Sequence, residues 1–331
     1  MIPKKLQIDL NRQFSEIKSD CKFKKCLFPD KSKCSERIIK AHSIQKNKIL
    51  KKIAEKGMLV TSNMNKMLFS KEFEKVGINS ASTFFGFCGY HDTVIFSQIE
   101  NKDFTGRSEQ NFLFSYRASS IEFVKKKIAS CIYKKLVAQT QDNQIINQIM
   151  KNNMLGSEYG MKDLEVILKK FSNELCQPKE DRNYEIITTL IFKFPYEAFI
   201  AVNSCFALEY DFDGYLINDL RNTSKIPAHV FLNIFPQKGK TYILLSCLSE
   251  NKTTYSDIFT EIKSMPNSRK EIFFSNMIIS HCENFFMCPS KYYKIPKKAR
   301  RLMVSRYIKT MQSIESNNIK RGSINLFKKL K

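Results

Sequence analysis

The sequence predicts an α+β fold, and three observations carry that prediction. Cysteines and a histidine gather as two pairs in the N-terminal third, at Cys26 and Cys34 and at Cys88 and His91. Residues 108–178 place apolar side chains at the helical period of about 3.6. Past Gln177-Pro178-Lys179-Glu180-Asp181 the pattern changes to short β-branched and aromatic runs. The segments are then an N-terminal domain over 1–107, a helical segment over 108–178, and a C-terminal domain with a basic tail over 179–331, its antiparallel sheet mixed with helices. With 43% hydrophobic and 12% aromatic residues in 331, the chain has the apolar material for a core, which argues against global disorder.

In chain order, Leu6, Leu10 and Phe14 mark an N-terminal helix over 1–20, and Cys21–Ser35 is turn-rich around Pro29-Asp30. Arg37–Ile44 alternates as a strand. Ile49, Leu50 and Ile53 make Lys46–Lys56 a helix, stopped by Gly57 in the left-handed region. Met58–Val76 reads as an exposed loop, and His91–Ile99 as a helix. Helical periodicity then covers Asn111–Gln139, Asn143–Asn152 and Met161–Leu175. Strands follow at Glu185–Phe194, Ala198–Leu208, His229–Phe235 and Thr241–Leu248, with Pro236–Gly239 as a hairpin loop. Helices at Ser256–Ile262, Arg269–Phe286 and Ala299–Ser313 complete the chain.

Fifty-five basic residues against 32 acidic ones leave a net charge of +23. Such a surplus favours a polyanionic partner, because lysine and arginine displace counterions from a phosphate backbone. Lys24, Lys25, Arg37, Lys40, Lys46 and Lys48 surround the paired cysteines and are the expected phosphate contacts, with DNA preferred over RNA. Lys291–Arg301 interleaves tyrosines with cations, a mix suited to stacking on bases or to docking. A protein partner is left to the C-terminal domain. No stretch approaches the ~20 apolar residues of a membrane helix. The N-terminal stretch is too polar for a signal peptide, so a cytoplasmic, reducing location is expected. There Cys131, Cys176, Cys205, Cys247, Cys282 and Cys288 read as core thiols.

Cys26 and Cys34 flank a turn, and Cys88-Gly89-Tyr90-His91 places a second pair at a helix start. A knuckle pair followed by a helix-start pair is the layout of a treble clef. Three thiolates and an imidazole suit a structural Zn2+, which takes a closed tetrahedron. The first loop exceeds the usual spacing of roughly two to four residues, and Cys21 is an alternative to Cys26 or Cys34. Elsewhere, Arg117 inside an apolar helix calls for a specific partner. His281-Cys282-Glu283-Asn284 calls for hydrogen bonds within a core. His229 reads as a strand residue.

The order Cys…Cys, then Ala41-His42 on a strand, then Cys88-x2-His91 with Asp92 directly after, resembles the zinc-stabilised HNH (His-Me finger) endonucleases with their ββα-metal fold. The resemblance covers roughly residues 20–105. It implies His42 as general base in metal-assisted phosphodiester hydrolysis, with Asp92 holding Mg2+ or a similar divalent cation and Glu100 a more distant candidate. Two departures stand out: Ala41 precedes the histidine, and Ser80-Ala81-Ser82-Thr83 holds no asparagine. The segments at 41–45, 81–92 and 281–284 together also resemble an uncharacterised bacterial family. The resulting expectation is an HNH-like nuclease suited to bacterial defence or a mobile element. Its alternatives are a non-catalytic zinc-dependent nucleic-acid-binding module and a protein-interaction scaffold.

Overall fold

The computed structural model describes residues 16–35, 37–62, 72–211, 213–311 and 324–327. Most of the expected helix over 1–20, including Leu6, Leu10 and Phe14, lies outside them, as does the end of the tail helix beyond residue 311. Compactness groups residues 1–41, 84–93 and 119–176 into one unit and residues 42–83, 94–118 and 177–331 into a second. The fold is α+β, with antiparallel sheet throughout. No helix among the described residues is long and apolar enough to cross a membrane.

Strands are β1 (Ala41–His42), β2 (Met58–Thr61), β3 (Glu74–Gly77), β4 (Thr83–Phe84), β5 (Ile187–Phe194), β6 (Ile200–Ala207), β7 (His229–Gln237), β8 (Lys240–Leu248) and β9 (Phe285–Met287). The principal helices are α1 (Gly89–Glu100), α2 (Ser108–Gln139), α3 (Gln144–Cys176), α4 (Ser256–Ser264), α5 (Asn267–His281), α6 (Pro289–Lys294) and α7 (Lys297–Met311).

The first unit is built on a helical hairpin. Asn143 accepts the Ile146 N–H through its side chain at 3.1 Å and so caps α3. Its neighbour Asn147 donates to the Val137 carbonyl at 2.7 Å, fixing the turn between α2 and α3. Farther along, Lys134 pairs with Glu158 at 2.8 Å, and Gly160 faces the stem of Lys126. α3 is one helix, with Gly156 and Gly160 inside it, rather than the two expected pieces; packing against α2 carries the glycines. A small apolar cluster of Ile17, Cys21 and Ile132 ties residues 16–21 to α2, where Cys21 and Cys131 form a disulfide.

That disulfide corrects the expectation that Cys131 is a core thiol, and it removes Cys21 as an alternative metal ligand. Sequence could not place two cysteines 110 residues apart side by side. Denatured without reductant and with chelator present, the protein is expected to take eight iodoacetamide adducts, one for each remaining thiol. Ten adducts by mass spectrometry would show the bond absent. Cys176, also expected in a core, is exposed at the end of α3, whereas Cys205, Cys247, Cys282 and Cys288 are buried.

The second unit is a seven-stranded sheet in the order β3-β2-β9-β6-β7-β8-β5. Alternation sorts its faces. Val230, Leu232 and Ile234 of β7 join Ile243, Leu245 and Cys247 of β8 in one cluster with Ile258, Phe259, Phe274, Ile278 and Val304 of α4, α5 and α7. On the opposite face, Phe235 stacks on Phe114 at 5.0 Å, and Asn203 donates to the Phe114 carbonyl at 3.2 Å. Residues 108–118 of α2 therefore cover that side. β7 and β8 meet in a two-residue turn, Lys238-Gly239, with φ of 49° and 75°. Pro236 and Gln237, expected in the loop, are ladder residues.

Four expectations change here. Of the loop expected over Met58–Val76, residues 63–71 lie outside the described residues, and the described ends are strands: Leu59 and Val60 are fully buried in β2, which pairs with β3 and β9. The expected helix over Arg269–Phe286 stops at His281, because Asn284 enters the sheet beside β6, donating to the Asn203 carbonyl and the Ser43 hydroxyl at 2.8 Å each. Phe285–Met287 then pairs with β6; a short apolar run has no period of its own, so partners decide its state. Finally, Lys46–Leu50 is a π-turn leading into one helical turn at Lys51–Ile53, and Gly57 (φ 72°) turns the chain into β2 instead of capping a helix. The strand expected over Arg37–Ile44 shortens to Ala41–His42.

Candidate metal centre

Backbone pairing brings the two ligand pairs together. Ile38 bridges Cys88, the Ile39 N–H donates to the Phe87 carbonyl at 3.1 Å, and the Gly89 N–H donates to the Arg37 carbonyl at 3.2 Å. From the knuckle itself, the Leu27 N–H donates to the Gly86 carbonyl at 2.8 Å. Gly86 is needed there, since an added Cβ would lie 2.3 Å from the Phe84 ring. The knuckle is closed by the Cys34 N–H donating to the Lys31 carbonyl at 3.1 Å. Asp30 accepts the Ser32 N–H at 2.9 Å, and Lys31 donates to the carbonyls of Cys26, at 2.6 Å, and Phe28.

Cys88 stands at the start of α1, where the sequence places the pair, and its sulfur caps the helix by accepting the His91 N–H at 3.4 Å. His91 is buried, with the Phe28 ring packed 4.6 Å from its own. Its Nδ1 lies 3.5 Å from the Cys26 sulfur, 3.5 Å from that of Cys34 and 3.2 Å from that of Cys88. All four donor atoms fall within 4.8 Å of one another. Tetrahedral Zn2+ with Zn–S of about 2.3 Å and Zn–N of about 2.05 Å requires S···N separations of about 3.5 Å. The donor set therefore fits a metal such as zinc in both chemistry and spacing.

Two of the thiols are shifted in opposite directions. Burial and the neighbouring Cys26 and Cys88 sulfurs push Cys34 up to about 11. Burial opposes ionisation of Cys88 too, but the His91 amide and the hydroxyl and amide of Ser35 outweigh it and bring that thiol down to about 6. A dication held by these residues would favour the thiolate form of all three sulfurs. Four protein donors would fill a tetrahedral metal and leave no open coordination position, the pattern of a structural site. Ser35, which also accepts the Tyr90 N–H at 3.2 Å, and Phe28 are the supporting residues that sequence reading missed. Ser35 directly follows Cys34, which is the one signal that pointed to it.

The other candidate residues sit as follows. His42 is half-buried in β1, and its Nδ1 lies 2.9 Å from the Ala81 carbonyl. A carbonyl only accepts, so in the neutral ring the proton is on Nδ1 and Nε2 carries the lone pair. Asp92 is half-buried in the first turn of α1, its N–H bonded to the Cys88 carbonyl at 2.9 Å. His42 belongs to the second unit and Asp92 to the first. Among the described residues neither joins a cluster of three or more potential ligands; that description applies to Cys26, Cys34, Cys88 and His91.

Lys24, Lys25, Arg37 and Lys40 are exposed around the knuckle, with the Lys24 ammonium 5.5 Å from the Phe85 ring centre. Lys46 is half-buried, and Lys48, though exposed, donates to the Asn101 carbonyl at 2.7 Å. Glu100 pairs with Arg117, the specific partner that residue required. His281 stacks on Phe206 at 5.1 Å, and burial next to Arg306 brings its imidazole down to about 4. His229 is a strand residue whose Nδ1 bonds the Pro227 carbonyl at 2.9 Å. No family model, curated protein or solved structure matches the chain.

Proposed function

We propose that the protein is a metal-stabilised nucleic-acid-binding protein of HNH-like type that hydrolyses phosphodiester bonds, with zinc in the four-ligand centre. The observation that carries this reading is the His42 ring. Its Nδ1 bond to the Ala81 carbonyl fixes the ring on β1 and, in the neutral tautomer, places the proton on Nδ1 and the lone pair on Nε2, the tautomer a general base uses. The resemblance noted at Ala41-His42 and Cys88–Asp92 assigns the partner role to Asp92, a carboxylate suited to Mg2+. When bound, that ion supplies Lewis-acid stabilisation of phosphate charge. The net charge of +23 and the exposed cations of the knuckle support a polyanionic substrate, DNA ahead of RNA.

The test uses the full chain with plasmid DNA, a single-stranded oligonucleotide and RNA. In Mg2+ the intact protein is expected to cleave at least one of them. His42→Ala is expected to lose about 100-fold or more in rate while keeping binding at low salt. Absence of Mg2+-dependent cleavage by the intact protein overturns the hydrolytic reading. Binding that persists in that case identifies a non-catalytic module, and failure to bind even at low salt identifies a scaffold.

A further inference from the structure

The second unit contains a cavity of about 310 Å³, at the lower end of the range for small-molecule sites. Its floor is apolar and aromatic, made by Phe104, Phe114 and Phe235 with Ile49 and Ile99. The three rings brace one another: Phe104 meets Phe235 edge-on at 5.5 Å and Phe114 at 6.0 Å. Its rim carries Lys48, Lys52, Lys102 and Lys238 against a single acid, Asp103. Lys238 pairs with Asp103 at 2.6 Å, and Lys52 pairs with Glu197 outside the rim at 2.7 Å. The Lys238 hydrogen bond first, and the charges of Lys48 and Lys52 with it, hold the Asp103 carboxyl below the usual range, so these cations converge on one place.

The walls are held by hydrogen bonds that leave the shape little freedom. Gln237 clamps Phe104 from both sides, accepting its N–H at 2.9 Å and donating to its carbonyl at 3.1 Å. Gln110 accepts the Thr105 N–H at 2.8 Å and donates to the carbonyls of Asp103, at 2.8 Å, and Gln98, at 3.1 Å. Both glutamines spend their amides on the backbone of residues 98–105. That makes the cavity a preformed site, in which little ordering cost attaches to binding.

A flat, weakly polar body on the aromatic floor and an anionic group at the rim would satisfy both halves of this surface at once. We propose that the cavity binds a nucleotide, its base against Phe104, Phe114 and Phe235 and its phosphate among Lys48, Lys102 and Lys238. The source is a free mononucleotide or the terminal nucleotide of a strand; the chemistry is shared. The inference stands on the cavity and not on His42, so it survives or fails separately from the hydrolytic reading.

The test is calorimetric titration of the full chain with adenosine monophosphate, adenosine and inorganic phosphate. Adenosine monophosphate is expected to bind at least about tenfold more tightly than either part alone. Lys102→Glu places a carboxylate on an exposed rim position and is expected to weaken the nucleotide by about tenfold. Phe104→Leu keeps the floor apolar but removes a ring; with an unchanged melting temperature, it is expected to weaken the nucleotide and leave inorganic phosphate unaffected. A 5′-phosphorylated hexanucleotide that competes with the mononucleotide identifies a strand end; one that does not identifies the free ligand. No binding at millimolar nucleotide, equal affinity for inorganic phosphate, or indifference to Lys102→Glu would each overturn the site.

Discussion

Stripping the metal with an excess of a strong zinc chelator is expected to release about one zinc per chain and to open the knuckle to trypsin. The reason lies in what else holds that segment. No described residue from Lys22 to Lys40 is buried, so apolar burial contributes little to its order. Its backbone pairing to 86–89 comprises the Ile38–Cys88 bridge and a few flanking bonds. Structural zinc sites are worth roughly 10–16 kcal/mol in small zinc-finger peptides, far more than those bonds together. Lys24, Lys25, Lys31 and Lys33 are trypsin sites inside the segment, and their cleavage is expected to accelerate by an order of magnitude or more on chelation. Cys88→Ser is expected to do the same without chelator, because its sulfur both donates to the metal site and caps the His91 N–H. The sheet of the second unit keeps its own apolar core and is expected to retain its far-ultraviolet circular dichroism. A metal-free protein by elemental analysis, with the same trypsin pattern with and without chelator, would refute the site.

Arg117→Ala is the second large effect expected. Arg117 is buried to 2% side-chain exposure, paired with Glu100, and lies with its guanidinium 4.0 Å from the centre of the Phe96 ring. Phe96 in turn stacks on Tyr116 at 5.8 Å. Removing one member of a buried ion pair costs about 3–5 kcal/mol. Glu100 keeps 31% of its side chain exposed and can rehydrate, so the lower end, about 3 kcal/mol, is expected for Arg117→Ala. Glu100→Ala should cost as much or more, since it takes the carboxylate from a buried guanidinium packed on the Phe96 ring. The pair Arg117→Met with Glu100→Leu removes both charges and is expected to cost less than the sum of the single losses. Urea denaturation of the four proteins measures this. Additive effects would show that the two side chains act independently.

Much of the candidate site was legible in the sequence. Cys26, Cys34, Cys88 and His91 stood out because thiols beside turns and a cysteine three residues before a histidine at a helix start have few other uses. The main strands and a hairpin within Pro236–Gly239 followed from local pattern, although the ladder runs on through Pro236 and Gln237 and leaves only Lys238-Gly239 as the turn. Arg117 announced its need for a partner by its apolar neighbours, although nothing in the chain said that the partner was Glu100.

What local pattern could not supply were pairings between distant segments. β2 looks like loop until β3 and β9 lie on either side of it, and Phe285–Met287 looks helical until β6 offers a ladder. Cys21 was a plausible ligand until Cys131 met it across 110 residues. The cavity draws its lysines and rings from three separated stretches, around 45–52, 99–114 and 235–238, none of which carries a motif. Side-chain chemistry and period are properties of a few consecutive residues, and they can be read in order along the chain. Burial, cross-strand pairing and the convergence of charges depend on which surfaces meet, and only the folded chain decides that.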